Sequence, residues 1–134
     1  NTFKKFERSL VNRETDLAER RKVWNSVVFY NYLQCVMSSP RETGCAQDFA
    51  SSAPAFFDVV QKYQPDVIIV WGQRLWSKLP YNNWHADQNV DVNGSAVQCG
   101  HYAIGGKSFK AFAVNHPSSG YSWDYWHSVI TKLL

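Results

Sequence analysis

An α/β fold is expected from the way two kinds of apolar pattern alternate along the 134-residue chain. Val67-Ile68-Ile69-Val70-Trp71 is a continuous apolar run of the kind buried on both faces of a parallel sheet. It ends at Gly72, and helical spacing follows from about Gln73 to Leu79. Phe109, Ala111 and Ala113 then alternate with Lys110, Phe112 and Val114, the two-residue period of a strand. Asn115-His116-Pro117-Ser118 closes that strand, because proline has no N–H with which to continue a ladder.

The remaining elements follow in order. Thr2 can cap a helix whose apolar residues are Phe3, Phe6 and Leu10, and Thr15-Asp16 can start a second running toward Trp24. Val27-Val28-Phe29-Tyr30-Asn31-Tyr32-Leu33 is β-branched and aromatic, the composition of a buried strand with Asn31 as its one interior polar residue. Ser38 to Ser52, rich in Ser, Gly and Pro, reads as a loop, and Ser52-Ala53-Pro54 as the start of a helix carrying Phe56, Phe57, Val60 and Tyr63. Pro80 to Gln98 is polar and reads as irregular. Val97 to Ile104 and Ser108 to Val114 flank Gly105-Gly106, the signal of a hairpin in the C-terminal half. Ser122 is a candidate cap for a last helix with Trp126, Val129, Ile130 and Leu133 on one face.

The length fits a single domain over residues 1–134, and 45% hydrophobic residues suffice for one core. A net charge of +3 is compatible with nucleic acid but falls short of a basic patch. Cys35, Cys45 and Cys99 are odd in number and lack zinc or disulfide spacing, so reduced intracellular thiols and a soluble cytoplasmic protein are expected. No apolar run approaches the ~18 residues of a membrane span, so no membrane association is expected. There is no internal repeat, no His-x-x-x-His pair and no Gly-rich phosphate loop; neither a metal nor an organic cofactor is expected.

His116 is the first candidate for chemistry. It lies at the C-terminal end of a strand, the edge at which open α/β sheets bind ligands, and small hydroxyl residues follow it. A solvated loop histidine remains the alternative on these grounds alone. Three landmarks then occur in sequence: Phe29-Tyr30-Asn31, Val70-Trp71-Gly72 and Asn115-His116-Pro117-Ser118. Their order and separation over residues 26–134 resemble the uracil-DNA glycosylase superfamily. The resemblance implies a three-layer α/β/α domain with a short, mainly parallel sheet and, as activity, removal of uracil or a related damaged base from DNA by cleaving its N-glycosidic bond. It assigns base recognition to Asn31, whose amide has both an acceptor and donors for the uracil edge. It assigns catalysis to His116, stabilising negative charge on the departing base as an oxyanion hole would. Pro117, Ser118 and Ser119 would approach the DNA backbone. A nucleophilic Ser118 is a poor competitor, since no Gly-x-Ser-x-Gly elbow surrounds it.

Two departures from the family pattern matter. The place of the bulky apolar wedge is taken by Gly120, leaving Tyr121 or Trp123 as rings that could stack on bases, with helix packing an equal account of both. No counterpart exists of the family's first strand, which carries the water-activating residue and lies centrally in the sheet. Asp66 and Asp87 read as a residue leading into a strand and a loop charge, not as substitutes. The expectation is therefore a sheet with a central gap and further residues before Asn1 that supply the central strand and the general base, the alternative being a reduced variant whose strands close directly on each other. A catalytically silent, nucleic-acid or nucleotide-binding member of the same fold is the alternative function, and a fold with coincidental landmarks the third.

Overall fold

The computed structural model describes residues 1–34 and 44–134. It shows a mixed α/β fold in which a four-stranded sheet is accompanied by helices and a separate two-stranded hairpin. The elements are α1 (Thr2–Val11), α2 (Leu17–Asn25), α3 (Ala46–Tyr63), β1 (Val67–Trp71), α4 (Gln73–Lys78), β2 (Trp84–Ala86), β3 (Val90–Val92), β4 (Ser95–Val97), β5 (Cys99–Ile104), β6 (Lys107–Val114) and α5 (Trp123–Leu133). No helix among the described residues is long and apolar enough to cross a membrane.

The sheet order is β1-β6-β5-β2. Only β1 and β6 run parallel; β5 is antiparallel to β6, and β2 to β5, so the expectation of a mainly parallel sheet is corrected. The reason is local: Gly105 and Gly106, at φ 59° and 78°, make the tight turn that forces β5 and β6 to pair as a hairpin. The expected irregular stretch 80–98 also holds strands, and Asn93-Gly94, both left-handed, turns β3 into β4. β2 packs tightly on β5 at Gly100, where a Cβ would lie 2.4 Å from the His85 carbonyl oxygen and 2.5 Å from the Trp84 ring.

β6 is the centre of the molecule. Phe109, Ala111 and Ala113 turn to a core shared with Phe49, Phe56 and Val60 of α3. Phe112 and Val114 turn to a second core with Phe6 of α1 and Trp126, Val129, Ile130 and Leu133 of α5. Helices thus cover both faces, as the alternation along β6 requires. Lys110, on the second face, carries its charge past the core and donates from Nζ to the Leu133 carbonyl at 2.9 Å, meeting the negative end of α5.

Helix boundaries differ modestly from the sequence reading. Asn1, not Thr2, caps α1, its side chain accepting from the N–H groups of Phe3 and Lys4 at 2.9 and 3.2 Å. Asp16 caps α2 through the Glu19 N–H at 2.8 Å. α3 begins at Ala46, so Pro54 lies inside it and the loop expected for 38–52 is helical from Ala46 onward. Asp48 holds that start by accepting from the Cys45 N–H at 2.8 Å. Proline's φ is already helical, so Pro54 removes one backbone bond without a steric bar to the helix on its C-terminal side. The part of the expected loop at 38–43, and Cys35, fall outside the described residues.

The largest correction concerns Val27 to Leu33. This run forms no strand; Val27, Val28 and Phe29 are exposed by 38, 53 and 47%. Its composition favours a strand, but a strand needs a neighbouring backbone and none among the described residues pairs with it. It is tied instead to α3: the Tyr32 hydroxyl donates to the Phe49 carbonyl at 3.2 Å, and the Gln34 N–H to the buried Ser52 Oγ at 3.0 Å.

A buried carboxylate joins α1 to α2. Glu7, with its side chain 3% exposed, accepts from Thr15 Oγ1, from Trp24 Nε1 at 3.0 Å and from Arg20 Nε at 3.2 Å. Desolvation pushes its pKa up, but the bonds from Thr15, Trp24 and Arg20 and the Arg20 charge outweigh it and hold the group below its ordinary 4.5.

Two outcomes are expected. Phe112→Ala, at a fully buried position between β1 and β5, should cost about 3–5 kcal/mol in urea unfolding. A lowered folded pKa makes the Glu7 contribution complete above 4.5, the unfolded value, and lost as pH falls through the lower folded one. Glu7→Gln should therefore be less stable than the parent at pH 7 and flatten the acid limb of stability against pH.

Candidate functional site

The carboxyl ends of β1 and β6 lie side by side because the strands are parallel and in register, Trp71 opposite Val114. Each chain then turns away. β1 turns at Gly72, whose N–H donates to the Val114 carbonyl at 2.8 Å and whose φ of 101° lies where a side chain is strained. The same glycine leaves room for the histidine, since a Cβ there would sit 3.7 Å from His116 Cβ. β6 ends at Val114, and the fully buried Pro117 ring pins the loop that follows.

His116 is exposed and held by its own loop. The Ser118 backbone N–H, which can only donate, lies 3.2 Å from Nδ1, and Ser118 Oγ lies 2.7 Å from the same nitrogen. Nδ1 is thus an acceptor, and the neutral ring carries its proton on Nε2. The Trp71 ring meets the imidazole edge-on, with centroids 5.8 Å apart and planes at 81°. This packing braces the ring, and Nε2–H meets no acceptor among the described residues.

A cavity of about 1160 Å³ opens beside these groups, bounded by the outer edge of β1 and by the 26–33 segment. Its walls bring Asn31, Trp71, Gly72 and His116 to one space. The Asn31 side-chain amide makes no hydrogen bond among the described residues; its backbone carbonyl accepts from Gln34 Nε2 at 2.7 Å. Three aromatic rings stand at the Trp71 end: Phe29 lies 4.9 Å from Trp71 and 5.4 Å from Phe3, centroid to centroid. Arg74 also lines the cavity, its guanidinium 5.6 Å from the Phe49 ring.

The other sequence candidates divide. Ser118, Ser119 and Gly120 are exposed on the loop after β6. Pro117 is buried, so its role is to anchor that loop rather than to touch a DNA backbone. Tyr121 is also buried and donates from its hydroxyl to Ser9 Oγ at 2.6 Å while stacking on Trp126, which takes its ring out of reach of a base stack. Burial pushes the Tyr121 hydroxyl pKa up to about 12, against the bond to Ser9. Asp87 lies elsewhere, 3.2 Å from His101 Nδ1. Among the described residues Asp66 is the only acidic one on the cavity wall, but it precedes β1 and sits at the end opposite His116.

Phe29, Phe3 and Arg74 were not singled out by sequence. Phe29 had a signal, its place two residues before Asn31 in the aromatic run; Phe3 and Arg74 had none, since only folding brings them to this space. Among the described residues, no group of three or more His, Cys, Asp or Glu side chains could hold a metal ion. Comparison with family models, with curated proteins and with solved structures finds no match to this chain.

The tautomer of His116 is directly measurable. Long-range proton–nitrogen correlation spectra should show the Nε2–H form of the neutral ring. Ser118→Ala should retain it, because the backbone N–H remains, and an Nδ1–H form in the parent would contradict the geometry.

Proposed function

We propose that this domain binds an extruded pyrimidine base at the carboxyl end of β1 and β6 and, with uracil-DNA glycosylase-like chemistry, cleaves its bond to the sugar. The observation that carries the reading is the His116 imidazole, held by Ser118 with Nε2–H as its free donor, on the wall of a cavity that Asn31 shares. A donor in this state can stabilise charge developing on the O2 of a leaving uracil without first losing a proton. The free Asn31 amide can meet O4 and N3–H of uracil while opposing the exocyclic amine of cytosine. Phe29 and Trp71 offer faces or edges against which a planar base packs. Ser118 and Ser119, exposed on the same loop, are placed to meet phosphate oxygens. The finer architecture belongs to the same proposal: a three-layer domain of the uracil-DNA glycosylase type, with DNA as partner.

A catalytically silent, base-binding member of that fold is the second reading. It is favoured by one observation, that among the described residues no carboxylate stands on the cavity wall near His116 to activate water. Both readings meet in one experiment. Single- and double-stranded oligonucleotides bearing uracil are incubated with the protein and treated with alkali, which breaks the strand at any abasic site. Scission that falls by about 10²–10³-fold in His116→Ala and in Asn31→Ala supports the enzyme. Absence of scission with salt-dependent binding supports the silent member, because release of counterions marks phosphate contacts. Neither scission nor binding overturns both.

A further inference from the structure

We propose that the cavity between α4 and the β2–β5 pair is a cage for a methylated ammonium ion, walled by the rings of Trp76, Tyr81 and Trp84 and completed by the Asp87 carboxylate. This cavity has a volume of about 370 Å³, and among the described residues it shares only Leu79 with the lining of the larger one. The inference therefore stands whether or not the domain excises bases.

Local structure brings the rings to this space. One tight turn joins Tyr81 to Trp84: the Trp84 N–H donates to the Tyr81 carbonyl at 3.1 Å, and Asn83 takes a left-handed φ of 63°. Trp84 is then held in place, because its ring occupies the space that Gly100 leaves by lacking a Cβ and packs on Tyr102 with centroids 5.0 Å apart. Trp76 comes from α4 and stands at 88° to Trp84, with centroids 5.2 Å apart. Two perpendicular indoles make a corner. Tyr81, left 81% exposed, adds a third wall.

Charge and hydrogen bonding select the occupant. Among the described residues Asp87 is the one charged group on the wall, and its N–H, donating to the Cys99 carbonyl at 3.1 Å, fixes its place just beyond β2. His101 Nδ1 lies 3.2 and 3.3 Å from its two oxygens. The Asp87 side chain is nevertheless 44% exposed. A carboxylate has about four acceptor positions, so one histidine does not saturate it. Four donors on the same wall are already committed to the protein: Trp76 Nε1 to Gln98 Oε1 at 3.3 Å, and the Tyr102 hydroxyl, Ser77 hydroxyl and Cys99 thiol to the carbonyls of Pro80, Arg74 and Gln88 at 2.8, 2.7 and 3.4 Å. A sugar or a base would need those donors. A methylated ammonium ion has no acceptor atom to satisfy, and the negative faces of aromatic rings and a carboxylate both attract it.

The test is a titration with choline, read on the indole N–H signals of the protein by nitrogen-resolved NMR. The signals of Trp76 and Trp84 should move along one saturable curve while those of Trp24, Trp71, Trp123 and Trp126 stay still. Dimethylbutanol, the uncharged isostere in which carbon replaces the nitrogen, should bind at least about tenfold more weakly. Tyr81→Ala and Asp87→Asn should each weaken choline binding about fivefold. Both positions are exposed, and unchanged indole signals elsewhere check that each variant keeps the fold. A peptide bearing trimethyl-lysine that binds more tightly than choline assigns the ion to a protein side chain, and one that binds more weakly assigns it to a free small molecule. Absence of saturation, equal binding of the uncharged isostere, or undiminished binding in either variant overturns the proposal.

Discussion

Everything in this fold hangs on β6. Its eight residues pair with β1 on one side and β5 on the other, and their alternation feeds two separate cores. Ala111, Phe112 and Val114 have no exposed surface at all, so the strand cannot shift by one residue without exchanging its two faces. That fixed register decides where the chain emerges. His116 stands two residues beyond Val114, next to Gly72, because the Gly72–Val114 hydrogen bond ties the two strand ends together. The site is a consequence of strand register before it is a matter of side-chain chemistry.

The side of β1 away from β6 shows the opposite condition. There the sheet stops while the apolar walls continue, and the Val27–Leu33 segment hangs from α3 by Tyr32 and Gln34 instead of from a ladder. Asn31 is therefore positioned by a helix, and His116 by the sheet.

Much of this was legible in the sequence, for identifiable reasons. The Phe109–Val114 alternation, the Val67–Trp71 run, the Gly105-Gly106 turn and the Asp16 cap are local signals, and local physics determined those elements. The sense of the sheet was not local. Phe109–Val114 and Val67–Trp71 read alike whether most of their neighbours are parallel or antiparallel. Val27–Leu33 was misread because strand composition reports fitness for a sheet, not the presence of a partner. Pro54 marked the wrong helix start, since proline suits the first turn but is also tolerated deeper when one bond is given up. Of the site, His116 and Asn31 were named from sequence and Phe29 lay beside Asn31 in the same aromatic run, whereas Phe3 and Arg74 joined it only through folding. Tyr121 had two readings beside Gly120, stacking on a base or packing against a helix, and its partner Ser9 lies 112 residues away, a contact no local reading contains.

The central claim is that His116 and Asn31 form one binding site for a pyrimidine edge. The most direct measurement is a titration of the protein with uracil, followed by nitrogen-resolved NMR of the Asn31 side-chain amide and the His116 ring. The account expects both sets of signals to move together along one saturable curve, with cytosine producing a much smaller response. Movement of neither, or shifts confined to the aromatic pocket of Trp76, Tyr81 and Trp84 on the far side of the sheet, would contradict it.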